Sequence, residues 1–182
     1  MALKFNEIKT TQAAAYFLIK NKGSERYLKI IKLLYLADRS AINQIGLPIT
    51  GDRYVSMPRG PVTSQTLDLI NYSPDPSKAS YWHDYISAPR NYCIMLNNNP
   101  GVGQLSQAEM DVLDEVYDKF GTMNVWALVE YTHHLPEYKD PEGSSIPIQI
   151  EDILDGLGKT ESEKKLIMEQ MDFAAGIEAF FS

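Results

Sequence analysis

The chain has 182 residues, 44% of them apolar, which bounds it to one folded core or at most two small lobes. Seventeen basic against 24 acidic residues leave a formal charge of −7, which disfavours a protein whose main task is neutralising nucleic-acid phosphates. A single cysteine, Cys93, excludes an intrachain disulfide and a thiolate zinc cluster, and the longest apolar run, Ala13 to Ile19, falls far short of the ~20 residues that span a bilayer.

In chain order, Asn6 is placed to cap a helix running to about Lys22, where Gly23 stops it. Ser24 is placed to cap the next, whose apolar positions Leu28, Ile31, Leu34, Tyr35 and Ile42 keep the helical period up to Gly46. Arg53 to Met57 is short and β-prone. Pro61 suits the first position of a third helix with Gly60 as its cap, because a missing N–H costs nothing there, and Val62, Leu67, Leu69 and Ile70 would dock that helix. Tyr81 to Ser87 and Asn91 to Leu96 read as two strands joined through Ala88-Pro89-Arg90, which limits the sheet to about three antiparallel strands. Asn97 to Gln104 is irregular.

The second half is more explicit. Ser106 and Glu109 form a capping box, Leu105 and Met110 sit at staple spacing, and Gly121 follows Phe120 as a stop. A helix is expected from Asn124 to His134, closed by Pro136, and a short one from Ile150 to Leu157 after an irregular stretch from Pro136 to Gln149. A second box, Thr160 with Glu163, opens a last helix whose apolar stripe is Leu166, Ile167, Phe173, Ala174, Ile177 and Phe181. The pattern is mainly α: a compact helical domain with a small antiparallel β-sheet, one domain over residues 1–182.

Charge is unevenly spread. Residues 1–32 hold seven basic side chains against Glu7 and Glu25, whereas residues 136–182 hold eleven acids and four bases, so a basic partner would meet the tail more readily than the head. The opening MALKFNEIKT has no leader pattern. A cytoplasmic location without membrane attachment is the expectation.

Chemical motifs are weak. The stretch around Gly60 lacks the lysine and second glycine of a phosphate loop, and Pro100-Gly101-Val102-Gly103 is followed by no lysine. His133 and His134 are adjacent, about 100° apart on a helix, and so do not share a metal-binding face; interaction with the helix dipole is the simpler role. Cys93 lies in an alternating segment without a neighbouring base, and no nucleophile elbow surrounds any serine. Asp111, Asp114 and Glu115 read as a solvated face. No catalytic, cofactor-binding or metal site is expected from these residues.

The aromatic residues are more informative. Tyr72, Tyr81, Trp82, Tyr85 and Tyr92 fall close together. On a strand, Trp82, Asp84 and Ile86 would face one way and Tyr81, His83 and Tyr85 the other. Such side chains either fill a small sheet or anchor an interface.

The order of three motifs carries a resemblance. Lys32-Leu33-Leu34-Tyr35-Leu36-Ala37-Asp38, then Leu47-Pro48-Ile49-Thr50-Gly51-Asp52-Arg53-Tyr54, then Gly60-Pro61-Val62, with the later Leu105-Ser106 helix, Phe120-Gly121 and Trp126 to His133, resemble the SocA-like Panacea domain over residues 26–136. Residues 1–25 and 137–182 would be helical extensions packed on that core. The resemblance implies a mostly helical fold with a small sheet. It implies an antitoxin of a toxin–antitoxin pair, often carried by phages and mobile elements, that neutralises a cognate toxin by direct protein–protein binding, with no catalytic residues to carry over. The motif residues themselves read as scaffold.

Two other functions fit less well. A DNA-binding regulator could use the basic residues 1–32, although the segment after Gly60 offers only Thr63, Ser64, Gln65 and Thr66 as polar readers. A protease adaptor delivering a bound client would need a second docking surface. For partner contacts, aromatic and arginine side chains near the sheet single out Tyr54, Arg59, Trp82, Tyr85 and Tyr92. A homo- or hetero-oligomer is compatible with this reading.

Overall fold

The computed structural model describes residues 3–72, 77 and 79–181. Its first helix, α1 (Glu7–Lys20), starts where the sequence places it: the Asn6 side chain accepts a hydrogen bond from the Lys9 N–H at 2.9 Å. Thr10 and Thr11 lie within this helix fully buried. Their hydroxyls donate back to the carbonyls of Asn6 and Glu7 at 2.8 and 2.7 Å, which removes the penalty of burying them.

Ser24 caps no helix. It opens β1 (Ser24–Arg26), an antiparallel partner of β4 (Cys93–Met95) in the register Ser24↔Met95, Glu25↔Ile94, Arg26↔Cys93. The second helix, α2 (Tyr27–Ile45), therefore begins later, and its first N–H, on Tyr27, is satisfied by the carbonyl of Tyr92 at 2.9 Å in place of a side-chain cap. Gly46 ends it in the left-handed conformation, φ 78°, as a glycine C-cap should. Five consecutive residues, Leu33 to Ala37, are buried, so α2 is enclosed on all sides and forms the centre of the fold.

The expectation of a helix beginning at Gly60 and Pro61 is overturned. Tyr54–Met57 (β2) and Gly60–Thr63 (β3) form a hairpin around Pro58-Arg59, paired Tyr54↔Thr63 through Met57↔Gly60. Gly60 has φ 94°, and a Cβ there would stand 2.8 Å from both the Lys32 Nζ and the Thr132 Oγ1. Conformation and space both demand glycine. Pro61 is admitted because β3 is an edge strand. The helix α3 (Ser64–Asn71) starts after the hairpin, and its cap comes from afar: the Asp52 carboxylate accepts the N–H groups of Gln65 and Thr66 at 2.8 and 2.9 Å and the Thr66 hydroxyl at 2.6 Å.

The predicted strand from Tyr81 is instead a short helix, α4 (Tyr81–Tyr85). Glu7 overrides the β-propensity by accepting the Ser80 hydroxyl at 2.8 Å and the Trp82 N–H at 2.9 Å, which nucleates a helical turn. A hairpin does follow, but its turn is Asn91-Tyr92, later than expected: Arg90 and Cys93 exchange both backbone hydrogen bonds, and Ile86 bridges Leu96.

Helix α5 (Gln107–Phe120) carries the expected capping box between Ser106 and Glu109, and α6 (Val125–His133) is capped by Asn124. Within the stretch expected to be irregular, β5 (Ile146–Ile148) pairs with β2 in the register Tyr54↔Ile148 to Ser56↔Ile146. The described residues thus contain two small antiparallel sheets, β1-β4 and β3-β2-β5, within a mainly helical fold. Two helices close the chain, α7 (Ile150–Gly156) and α8 (Glu161–Phe181), the latter opened by the Thr160–Glu163 box.

The acids of α5 are not simply solvated. Asp114 pairs with Lys20 at 2.7 Å and accepts the Tyr16 hydroxyl at 2.9 Å, and Glu115 accepts from Gln44 at 2.8 Å, so this face ties α5 to α1 and α2. The stripe assigned to α8 is corrected too: Leu166, Phe173, Ile177 and Phe181 are exposed, while Met171 and Ala175 face the core. One contiguous apolar cluster joins Ala13, Phe17 and Leu18 of α1 to Leu34, Trp82, Leu113, Leu128, Leu154 and Met171.

Candidate functional site

Three charged side chains of the motifs, Lys32, Asp38 and Asp52, point inward and hold loops together. Asp38 is fully buried, and its carboxylate accepts the N–H groups of Ile49 and Thr50 at 2.8 and 3.0 Å, the Tyr54 hydroxyl at 2.8 Å and the Thr50 hydroxyl. Burial pushes its pKa up to about 6, against the pull of these donors. Asp52 caps α3 as described, and burial raises its pKa as well. Lys32, also fully buried, donates to the Pro61 carbonyl at 2.7 Å; desolvation drops its pKa to about 7. Glu137 lies outside the three motifs and completes the set. It is buried against Arg39 at 2.6 Å and accepts the Tyr35 hydroxyl at 2.9 Å, and burial together with this carboxylate pushes Tyr35 well above its ordinary pKa. The A-D, G-D-x-Y and G-P-V motifs are thus a mutual bracing of α2, the β2–β3 hairpin and the entry to α3.

The accessible chemistry lies on one face. The N-terminus of α2, the Asn91-Tyr92 turn, the β2–β3 turn and the first turn of α6 surround a cleft of about 230 Å³ lined by Arg26, Tyr27, Leu28, Arg59, Tyr92, Val125 and Trp126. A second hollow of about 330 Å³ adjoins it across Arg26, Val125 and Trp126. Both lie at or below the small end of small-molecule sites, which suits a protruding side chain or a peptide edge better than an enclosed ligand.

Within the cleft, the Arg59 guanidinium stands 5.6 Å from the centre of the Trp126 ring, a cation–π contact worth ~0.5–1 kcal/mol at an exposed site. Trp126 is 53% exposed and Tyr92 67%, and Arg26 and Arg59 are exposed without an acidic partner among the described residues. The turn carrying Arg59 is held from several sides. His133 Nε2 donates to the Pro58 carbonyl at 3.1 Å, the Tyr138 hydroxyl donates to the Met57 carbonyl at 3.1 Å, and Gly60 seats against Lys32 and Thr132. His133 therefore serves to fix this turn. The cleft is a rigid, cationic and aromatic surface on a chain that is acidic overall.

Of the five residues singled out from the sequence, the fold brings Arg59 and Tyr92 together at this cleft. Tyr54 and Trp82 are core residues, 4% and 0% exposed, one bonded to Asp38 and the other beneath α1, so neither reaches the surface. Tyr85 is half-buried on α4, its ring 4.7 Å from that of Tyr81, away from the cleft lining. Sequence reasoning missed Arg26 and Trp126. Trp126 sits two residues past the Asn124 cap, where an exposed first turn was readable, but nothing local tied it to Arg59.

The model of the antitoxin SocA-like Panacea domain matches residues 30–139, more than half of the chain. The chain belongs to the SocA-like Panacea family. No curated protein and no solved structure matches it. The Panacea match includes Arg59, Tyr92 and Trp126 and the bracing residues Lys32, Asp38, Asp52 and Glu137, while α1 and α8 lie outside it. Among the described residues no helix is long and apolar enough to cross a membrane.

Proposed function

We propose that this Panacea protein is an antitoxin that neutralises a cognate toxin by binding it directly, without catalysis, and that the Arg26–Arg59–Tyr92–Trp126 cleft is part of the contact surface. Family membership supplies the class of function. The observation that carries the reading further is the preorganised Arg59–Trp126 pair beside exposed Tyr92, since arginine, tyrosine and tryptophan held rigidly at a surface are the side chains that concentrate binding energy. The buried carboxylates and Lys32 are taken up in holding the fold.

The DNA-regulator alternative loses its main support. Lys9 pairs with Glu109, Lys20 with Asp114 and Lys29 with Glu25, at 2.7 to 2.9 Å, and Lys32 is buried, so most of the basic charge in residues 1–32 is spent inside the molecule. Titration calorimetry with the product of the adjacent gene tests the proposal. A stoichiometric complex that Trp126→Ala or Arg59→Ala weakens at least 10-fold is expected; an affinity indifferent to both would remove the cleft from the interface.

A further inference from the structure

The last helix has two apolar faces and uses only one. Met171 and Ala175 pack against the body, and Gln170 donates to the Ile45 carbonyl at 3.0 Å, which seats α8 on the end of α2. On the opposite side Leu166 is 65% exposed, Phe173 72%, Ile177 45% and Phe180 83%. These four positions recur at intervals of seven, four and three residues, the spacing of a coiled-coil seam that passes over Gln170, whose side chain is taken up by α2. At ~150–250 Å² of area per aromatic side chain, they leave several hundred Å² of apolar surface uncovered, as much as the largest patch on an ordinary monomer.

From this spacing we infer that the outward face of α8 docks an amphipathic helix of a different protein, with apolar side chains at its own seam positions and lysine or arginine beside them. The seam period selects a helix as occupant. Charge selects the partner: Glu163, which caps the helix through Thr160, and Glu169, 3.9 Å from Lys165, border the stripe, Lys164 is engaged by Asp155 and Glu161 at 2.7 and 2.5 Å, and residues 136–182 hold eleven acids and four bases, an acidic excess that these pairs leave in place. A second copy of this chain would bring the same acidic segment against its own likeness, whereas a basic helix is attracted. The natural partner would be the toxin, and for that identity the inference rests on the antitoxin reading; the surface itself does not.

The test uses the full chain and two synthetic 21-residue helical peptides with leucine at the seam positions, one flanked by lysine and one by glutamate. The lysine peptide is expected to bind at least 10-fold more tightly than the glutamate peptide at 150 mM salt, and Phe173→Glu or Ile177→Glu to weaken it at least 10-fold without changing the melting curve. Binding that ignores charge, binding that survives both substitutions, no binding of either peptide, or a homodimer in sedimentation that Phe173→Glu dissociates would each overturn it. Neutralisation separates this inference from the antitoxin reading: if wild type and Phe173→Glu both neutralise the adjacent gene's product, the antitoxin reading stands and the toxin falls as the occupant of this face, while the peptide titration decides the face itself. If wild type fails to neutralise, the antitoxin reading falls, and the peptide titration still decides the face.

Discussion

Tyr92 offers the sharpest link between backbone strain and function. Asn91 and Tyr92 are consecutive residues with positive φ, 49° and 65°, and Arg90 and Cys93 close the loop around them with hydrogen bonds of 2.8 and 2.9 Å. A two-residue loop of this kind favours Asn-Gly, and a non-glycine residue in the left-handed region costs ~1–2 kcal/mol. Tyr92→Gly removes that cost. Against it stand the greater freedom of glycine in the unfolded chain, ~0.4–1 kcal/mol, and the loss of a side chain that is already 67% exposed, a fraction of the ~1.5–3 kcal/mol of full aromatic burial. The terms nearly cancel, so Tyr92→Gly is expected to unfold in urea within about 1 kcal/mol of wild type. Tyr92→Ala keeps the strain while losing the same contacts, and is expected to be less stable than the glycine variant by about 1 kcal/mol. Both should weaken partner binding at least 10-fold. An alanine variant as stable as the glycine variant would refute the strain, and intact binding in both would refute the idea that the strain is held in service of a contact.

Other consequences follow from the bracing. Asp38→Ala strands four donors in the core at ~1–3 kcal/mol each and is expected to abolish cooperative unfolding, whereas Asp38→Asn, which retains an acceptor for the Ile49 and Thr50 amides, should fold with a lower urea midpoint. Arg39→Ala leaves Glu137 buried without its cation and is expected to cost ~3–5 kcal/mol by the same assay. Lys32 titrates at about 7 when folded and at 10.5 when unfolded, so between these values the unfolded chain holds a proton that the folded chain has shed. Its contribution to stability therefore rises with pH across that window and is lost as pH falls towards 7, by up to roughly 5 kcal/mol in all. Comparing urea midpoints at pH 7 and 9.5, Lys32→Met should flatten that rise; an equal rise in both proteins would contradict it.

How much of this was legible depended on how far each determinant reaches along the chain. Caps made within three residues, Asn6, Ser106, Asn124 and Thr160, mark their helices directly, whereas the spaced positions Leu28, Ile31, Leu34, Tyr35 and Ile42 mark α2 as a helix without showing that it is enclosed on all sides. Where the determinant was distant the reading failed. Glu7 caps α4 across more than 70 residues, and Trp82 and Ile86 share a face under a helical period as well as under a strand period, so the pattern itself was ambiguous. Asp52 caps α3 in place of Gly60, and β5 pairs with a strand about 90 residues earlier. The cleft shows the same limit. Arg59 and Tyr92 were visible as surface-competent residues, but Trp126 and Arg26 join them only through the packing of α6 and α2. The outward face of α8 was visible as an apolar stripe and misplaced, because a helix apolar on two sides does not say which side the core takes.

The central claim is that this chain acts by occupying a toxin, and co-expression tests it most directly. Growth of cells expressing the adjacent gene should stop in the absence of this protein and recover in its presence, with a complex recoverable from those cells and recovery lost in the Arg59→Ala, Trp126→Ala double variant. Growth that stays arrested with the wild-type protein present, or a neighbour that is harmless by itself, would contradict the account.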